Sequence, residues 1–174
     1  MVRFDQVVGQ DHIKEFFRNA VLTGNVPHAC ILSGEKGMGK RKLAEAFAEN
    51  LLCEKGGAEA CGECHSCKQT ASGSHPDLIF VTHEKPASIG VDDVRKQIQD
   101  TIVIRPYNGR YKVYIVDEAE KMTVQAQNAL LKTIEEPPSY GVILLLTENL
   151  NMFLPTILSR CVQLKCRPVS DQAG

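Results

Sequence analysis

The 174-residue chain carries 20 Lys and Arg against 21 Asp and Glu, a formal net charge of −1, with 43% hydrophobic and 24% charged residues. That length suits one domain with its own core and not two, and the balanced charge offers no overall basic surface for nucleic acid. No apolar run reaches the roughly 18 residues of a membrane span, and Met1-Val2-Arg3-Phe4-Asp5-Gln6 lacks a signal-peptide core, so the expectation is a cytoplasmic protein without a membrane partner. Seven Cys would suggest disulfides in an exported chain, but four of them stand at metal-ligand spacing.

Apolar runs alternate with helix-like stretches, the pattern of an α/β domain around a largely parallel sheet of about five strands. Ala29-Cys30-Ile31-Leu32 reads as the first strand and leads through Gly34 to a helix from Lys40 to about Leu52. The Cys-rich insertion, residues 53–67, follows and runs into a short polar helix near Gln69. Leu78-Ile79-Phe80-Val81 is the second strand. Val91, Val94, Ile98 and Ile102 then have helical spacing, with Ser88 or Gly90 as the N-cap. The third strand, Lys112 to Asp117, is followed by a helix through Ala126, Ala129, Leu130 and Ile134, stopped by Pro137-Pro138. A fourth run, Val142 to Leu146, ends in the polar turn Thr147-Glu148-Asn149, and short helical and extended pieces occupy Ile157 to Leu164. Residues 1–167 read as one domain, and residues 168–174 read as the start of a linker.

Gly34-Glu35-Lys36-Gly37-Met38-Gly39-Lys40 has the form of a phosphate loop between a strand and a helix. Gly34, Gly37 and Gly39 let backbone N–H groups turn toward phosphate oxygens, the helix N-terminus adds partial positive charge, and Lys40 reaches the β- and γ-phosphates. The bland alternative is a glycine-rich surface turn. The next position should hold Ser or Thr to ligate Mg²⁺, and here it is Arg41, a cation with no oxygen to offer. Metal-assisted hydrolysis is therefore not expected, and any ATP or ADP binding should be weak or nearly independent of Mg²⁺. Val113-Tyr114-Ile115-Val116-Asp117-Glu118 has the form of a Walker B strand, in which Asp117 would hold the metal and Glu118 polarise a water.

Cys53-x7-Cys61-x2-Cys64-x2-Cys67 offers four thiolates within 15 residues, and four thiolates leave no open coordination position. A structural Zn²⁺ is the expectation. An iron–sulfur cluster, a redox-active Cys pair and His65 as a substitute ligand are the alternatives. Cys30, Cys161 and Cys166 read as packing residues.

Phe4-Asp5-Gln6-Val7-Val8-Gly9-Gln10 resembles the opening motif of clamp-loader AAA+ domains, which in that family lies beside the nucleotide base. Val26-Pro27-His28-Ala29, the phosphate loop and the four-Cys insertion are similar to bacterial DNA polymerase III clamp-loader subunits. So are Asn128-Ala129-Leu130-Leu131-Lys132-Thr133-Ile134-Glu135-Glu136-Pro137-Pro138 and Ile157-Leu158-Ser159-Arg160-Cys161. The resemblance covers nearly the whole chain, with the motifs in the family's order. It implies a three-layer P-loop NTPase (AAA+) domain with a zinc-binding insertion, and a complete protein that also has a helical lid and a collar. It further implies a role in loading the sliding clamp onto primer-template DNA together with gamma/tau and delta subunits.

Within that family, gamma/tau subunits carry Thr after the phosphate-loop Lys, whereas delta-prime subunits have a degraded site. Arg41 therefore points to the delta-prime branch, and so does Glu148 after the sensor-like Thr147, because a carboxylate there repels a γ-phosphate. Gly39, Lys40, Asp117 and Glu118 are retained. The resemblance implies that Arg160 is an arginine finger, lent to a neighbouring subunit's ATP site. The competing readings are an active gamma/tau-type ATPase and a zinc-dependent nucleic-acid-binding module.

Overall fold

The computed structural model describes residues 3–107 and 110–168. Of the expected linker at 168–174, residues 169–174 lie outside the described residues. Five strands, β1 (Ala29–Ser33), β2 (Leu78–Phe80), β3 (Lys112–Val116), β4 (Gly141–Thr147) and β5 (Val162–Lys165), form one sheet in the order β2-β3-β4-β1-β5. All four pairings are parallel. Parallel strands need helical crossovers that cover both faces, so β1, β3 and β4 are buried throughout and read as unbroken apolar runs.

Alternation along each strand divides the core in two. Cys30, Leu32, Val113, Ile115, Leu144 and Leu146 face α1 (Asp11–Thr23) and α2 (Lys40–Leu52). Phe17 of α1 stacks on Phe47 of α2 with ring centroids 4.0 Å apart. Ala29, Ile31, Tyr114, Val116, Ile143 and Leu145 face the other layer. There the helical stretch 91–102 and α6 (Val124–Glu135) contribute Val94, Ile98, Ala126 and Leu130. The stretch consists of α4 (Val91–Val94), a π turn (Arg95–Gln99) and α5 (Asp100–Ile102). Gly90 is its N-cap, and its N–H donates to Asp93 Oδ2 at 2.8 Å. The three-layer α/β expectation holds.

Helix α1 is absent from the reading of the strand and helix pattern above. Its signal was present: Ile13, Phe17 and Ala20 are buried at helical spacing, and Gly24 ends the helix in the left-handed conformation at φ 73°. The polar helix near Gln69 is α3 (His65–Ser72), and α7 (Pro155–Arg160) precedes β5. Among the described residues, no helix is long and apolar enough to cross a membrane.

Candidate functional site

In an open parallel sheet, ligands settle beyond the carboxyl ends of the strands where the order switches. β4 lies between β1 and β3, and the register Ser33–Thr147 and Val116–Leu145 brings the ends of all three strands together. The phosphate loop leaves β1 there, the acidic pair leaves β3, and a cleft of about 440 Å³ opens between them. Lys36, Gly37, Gly39, Lys40, Arg41, Asp117, Glu118, Thr147 and Glu148 all line it. The sequence-predicted nucleotide residues are thus brought to one place, with Gly34 at the base of the loop, its N–H donating to Thr147 O at 3.1 Å.

The glycines are sterically required at two positions. Gly39 caps α2 at φ 92°, and a Cβ there would stand 2.8 Å from Val7 Cγ1. A Cβ on Gly34 would meet Cys166 Cβ at 2.7 Å. The loop is thus wedged between the N-terminal motif and the exit of β5. Gln10 reinforces that wedge: its side chain donates to Arg167 O at 2.6 Å and accepts from Arg167 N–H at 2.8 Å.

Lys40, Arg41 and the acidic groups of the cleft are paired within the chain. Lys40 Nζ donates to the carbonyls of Gly34 and Glu35. The Arg41 guanidinium lies 4.9 Å above the Phe80 ring, donates to Glu45 Oε1 at 2.9 Å and reaches Asp117 Oδ2 at 3.4 Å. Asp117 Oδ1 accepts the Glu118 N–H at 2.9 Å. Glu118, at φ 50°, turns its carboxylate to Lys121, whose hydrogen bond holds the carboxyl below its usual pKa. Thr147 Oγ1 donates to Glu120 Oε1 at 2.9 Å, and Glu148 Oε1 accepts the phosphate-loop N–H of Lys36 at 3.0 Å. Sequence reasoning placed Glu148 beside the phosphates but missed Glu120 and Phe80, which no local motif marks.

Magnesium nucleotide fits this arrangement poorly. The position expected to bring a hydroxyl to the metal brings a guanidinium instead, and the carboxylate expected to hold the metal, Asp117, is its partner.

The cysteine cluster fits its expected ligand well. Cys53 ends α2, Cys64 caps α3, Cys67 lies in the first turn of α3, and their sulfurs with that of Cys61 all lie within 4.8 Å of one another. A tetrahedral Zn²⁺ with four thiolates has sulfur–sulfur edges of about 3.8 Å, and Cys61 Sγ and Cys67 Sγ are 3.9 Å apart. Backbone N–H groups of Glu63 and Cys64 point at Cys61 Sγ, at 3.4 and 3.2 Å, and hold its pKa down to about 6. Burial pushes Cys67 in the opposite direction. Four thiols sharing one spot cannot all ionise without a cation to hold them, and this is the donor set that a divalent soft-metal ion satisfies. Among the described residues this is the group of Cys, His, Asp and Glu able to hold a metal, and His65 stands outside it. The insertion is tied to the body by Arg18 to Glu59 at 3.0 Å and by Asn50 Nδ2 to Ala58 O at 3.0 Å. Burial pushes the Cys30 and Cys161 thiols up to about 12, so both stay protonated at neutral pH.

Arg160 is exposed at the end of α7. β5 runs parallel to β1 from Cys30–Val162 to Ser33–Lys165. The backbone of Arg160 therefore sits at the amino end of the sheet, roughly 20 Å along the strand direction from the start of the phosphate loop. Its guanidinium has no ion-pair or hydrogen-bond partner among the described residues.

Comparison with known proteins agrees with this geometry. The family model described as "DNA polymerase III, delta subunit" matches residues 9–170. The chain is 39% identical over 172 residues to DNA polymerase III subunit tau of Bacillus subtilis, covering 98% of this chain and 30% of that protein. It is 45% identical over 141 residues to DNA polymerase III subunit delta' of Pseudomonas aeruginosa, covering 80% of this chain and 43% of that protein. A solved structure of a gamma subunit-related protein of DNA polymerase III from Thermotoga maritima superposes with a TM-score of 0.64 at 26% identity, over 91% of this chain and 47% of that one. The Holliday junction branch migration motor RuvB of the same organism shares the fold, with a TM-score of 0.57 at 17% identity over 95% of this chain and 47% of that one. The chain thus spans less than half the length of these relatives. With its phosphate loop, Walker B strand and cysteine insertion set on this sheet, the chain belongs to the DNA polymerase III delta-subunit family, the clamp-loader subunits of the AAA+ class.

Proposed function

We propose that the chain is the AAA+ domain of a delta-prime-type clamp-loader subunit, which helps place the sliding clamp on primer-template DNA without turning over ATP itself. The observation that carries this reading is the cleft, whose catalytic-looking groups are all engaged by other groups of the same chain, Arg41 on Asp117 foremost. The 45% identity to a delta' subunit agrees with it. In this reading Arg160, exposed and far from its own phosphate loop, serves the ATP held by a neighbouring gamma/tau subunit. There its planar fork of donors stabilises charge developing on the γ-phosphate. The four cysteines hold a structural Zn²⁺ that fixes the insertion. Residues 1–167 form the domain, residues 168–174 lead toward a lid and a collar, and the delta subunit is a further partner in the loader.

The test is reconstitution. A loader assembled from gamma/tau, delta and the full-length protein should load clamps onto primed DNA, and omitting this protein should abolish loading. The protein alone should hydrolyse no ATP. Steady hydrolysis that disappears in Lys40→Ala would move the assignment to the gamma/tau branch, for which the retained Gly39, Lys40, Asp117 and Glu118 argue.

A further inference from the structure

The pairings in the cleft have a pattern beyond the loss of one hydroxyl. Four cationic side chains, Lys36, Lys40, Arg41 and Lys42, face four acidic ones, Asp117, Glu118, Glu120 and Glu148, so the formal side-chain charges lining the cleft balance. The acidic Glu148 carboxylate takes a phosphate-loop N–H at 3.0 Å, a bond that a phosphate oxygen takes in loops of this form. The cationic Arg41 guanidinium reaches the carboxylate that a metal would use, steadied on its other sides by Glu45 and the Phe80 ring. One side chain supplies the anion and one the cation.

We propose that Glu148 and Arg41 are tethered stand-ins for the phosphate and the divalent cation, which hold the phosphate loop in shape and exclude the magnesium–nucleotide complex. This rests on reading the cleft as a phosphate-loop site, and it assigns the exclusion to two named residues and not to decay of the motif as a whole. Gly39, Lys40, Asp117 and Glu118 stay in place, so removing the two stand-ins uncovers a working binding site.

The experiment is calorimetric titration of the full-length protein with ADP, with Mg²⁺ and with EDTA. It compares the wild type with Glu148→Gln, Arg41→Thr and the double variant. Gln keeps an acceptor for the Lys36 N–H while removing the charge, so the loop stays capped and only the electrostatic competition is relieved. Glu148→Gln should tighten ADP binding roughly tenfold or more, the scale of a charged hydrogen bond, whether or not Mg²⁺ is present. Arg41→Thr supplies the missing hydroxyl and should make binding depend on Mg²⁺. The double variant should bind Mg·ADP most tightly. Thermal unfolding and zinc content of each variant establish that it is folded. A folded double variant that binds no better than the wild type would overturn the proposal, as would a wild type that binds Mg·ADP as tightly as the double variant. Neither result bears on clamp loading by the reconstituted complex, so the two readings fail separately.

Discussion

The cysteine insertion and the nucleotide cleft were both marked by motifs, and the structure completes them in opposite ways. In the insertion four thiols converge within 4.8 Å, with backbone N–H groups turned toward sulfur, and among the described residues no cationic side chain pairs with them. In the cleft each acidic group has a partner within the chain: Asp117 with Arg41, Glu118 with Lys121, Glu120 with Thr147, Glu148 with the loop backbone. The difference lies in the chemistry of the neighbours. The cysteine cluster leaves its compensating charge to be supplied from outside, whereas the cleft supplies opposite charges from its own side chains.

The sharpest way to break the contrast is to attack the insertion. Elemental analysis of the purified protein should find about one zinc per chain, and Cys67→Ser should lose it, because a closed four-ligand site depends on each thiolate. Hydrogen exchange should then show the segment 53–72 unprotected while β1, β3 and β4 stay protected, since the two sheet cores do not include the cluster. No zinc in the wild type, or a visible iron–sulfur absorption band, would remove one half of the comparison.

A smaller effect sharpens its boundary. His75, just beyond the insertion, is buried, accepts the Asp77 N–H on Nδ1 at 3.0 Å, and has a buried Nε2 without a hydrogen-bond partner among the described residues. Burial lowers its pKa from the ordinary 6.5, against the opposing charge of Asp77. Above that value both folded and unfolded chains hold it neutral. As pH falls below about 6.5 the unfolded chain takes the proton first, so stability drops until the folded pKa is reached. Urea unfolding from about pH 7 to pH 5 should show this slope, and His75→Asn should flatten it by at most about 1.4 kcal/mol per pH unit. An unchanged slope would mean the imidazole is solvated in the folded state.

How far the sequence was legible follows from which patterns are local. The strands were readable because a sheet covered on both faces leaves unbroken apolar runs such as Val113–Val116 and Val142–Leu146, and Pro137-Pro138 marked the end of α6. The phosphate loop and the cysteine ligands were readable because each motif lies within 15 residues. The pairings that decide the cleft's use were not. Glu148 meets Lys36 across 112 residues and Arg41 meets Asp117 across 76, contacts that exist because β4 inserts between β1 and β3. Strand order is a long-range outcome that no window of sequence spells out. Helix α1 is a different case: its periodic Ile13, Phe17 and Ala20 were in view beside a stronger motif.

We proposed that this domain turns over no ATP of its own and serves a neighbour's site, and Arg160 puts that to the test in a loader reconstituted with gamma/tau, delta and the full-length protein. An arginine finger is worth about 10³–10⁵ in rate at the site it serves. Arg160→Ala should therefore leave assembly intact, lower clamp loading, and reduce total DNA-stimulated ATP hydrolysis only in part, because the loader's other ATP sites keep turning over. A mutant complex that assembles and then hydrolyses ATP and loads clamps at the wild-type rate would contradict the claim.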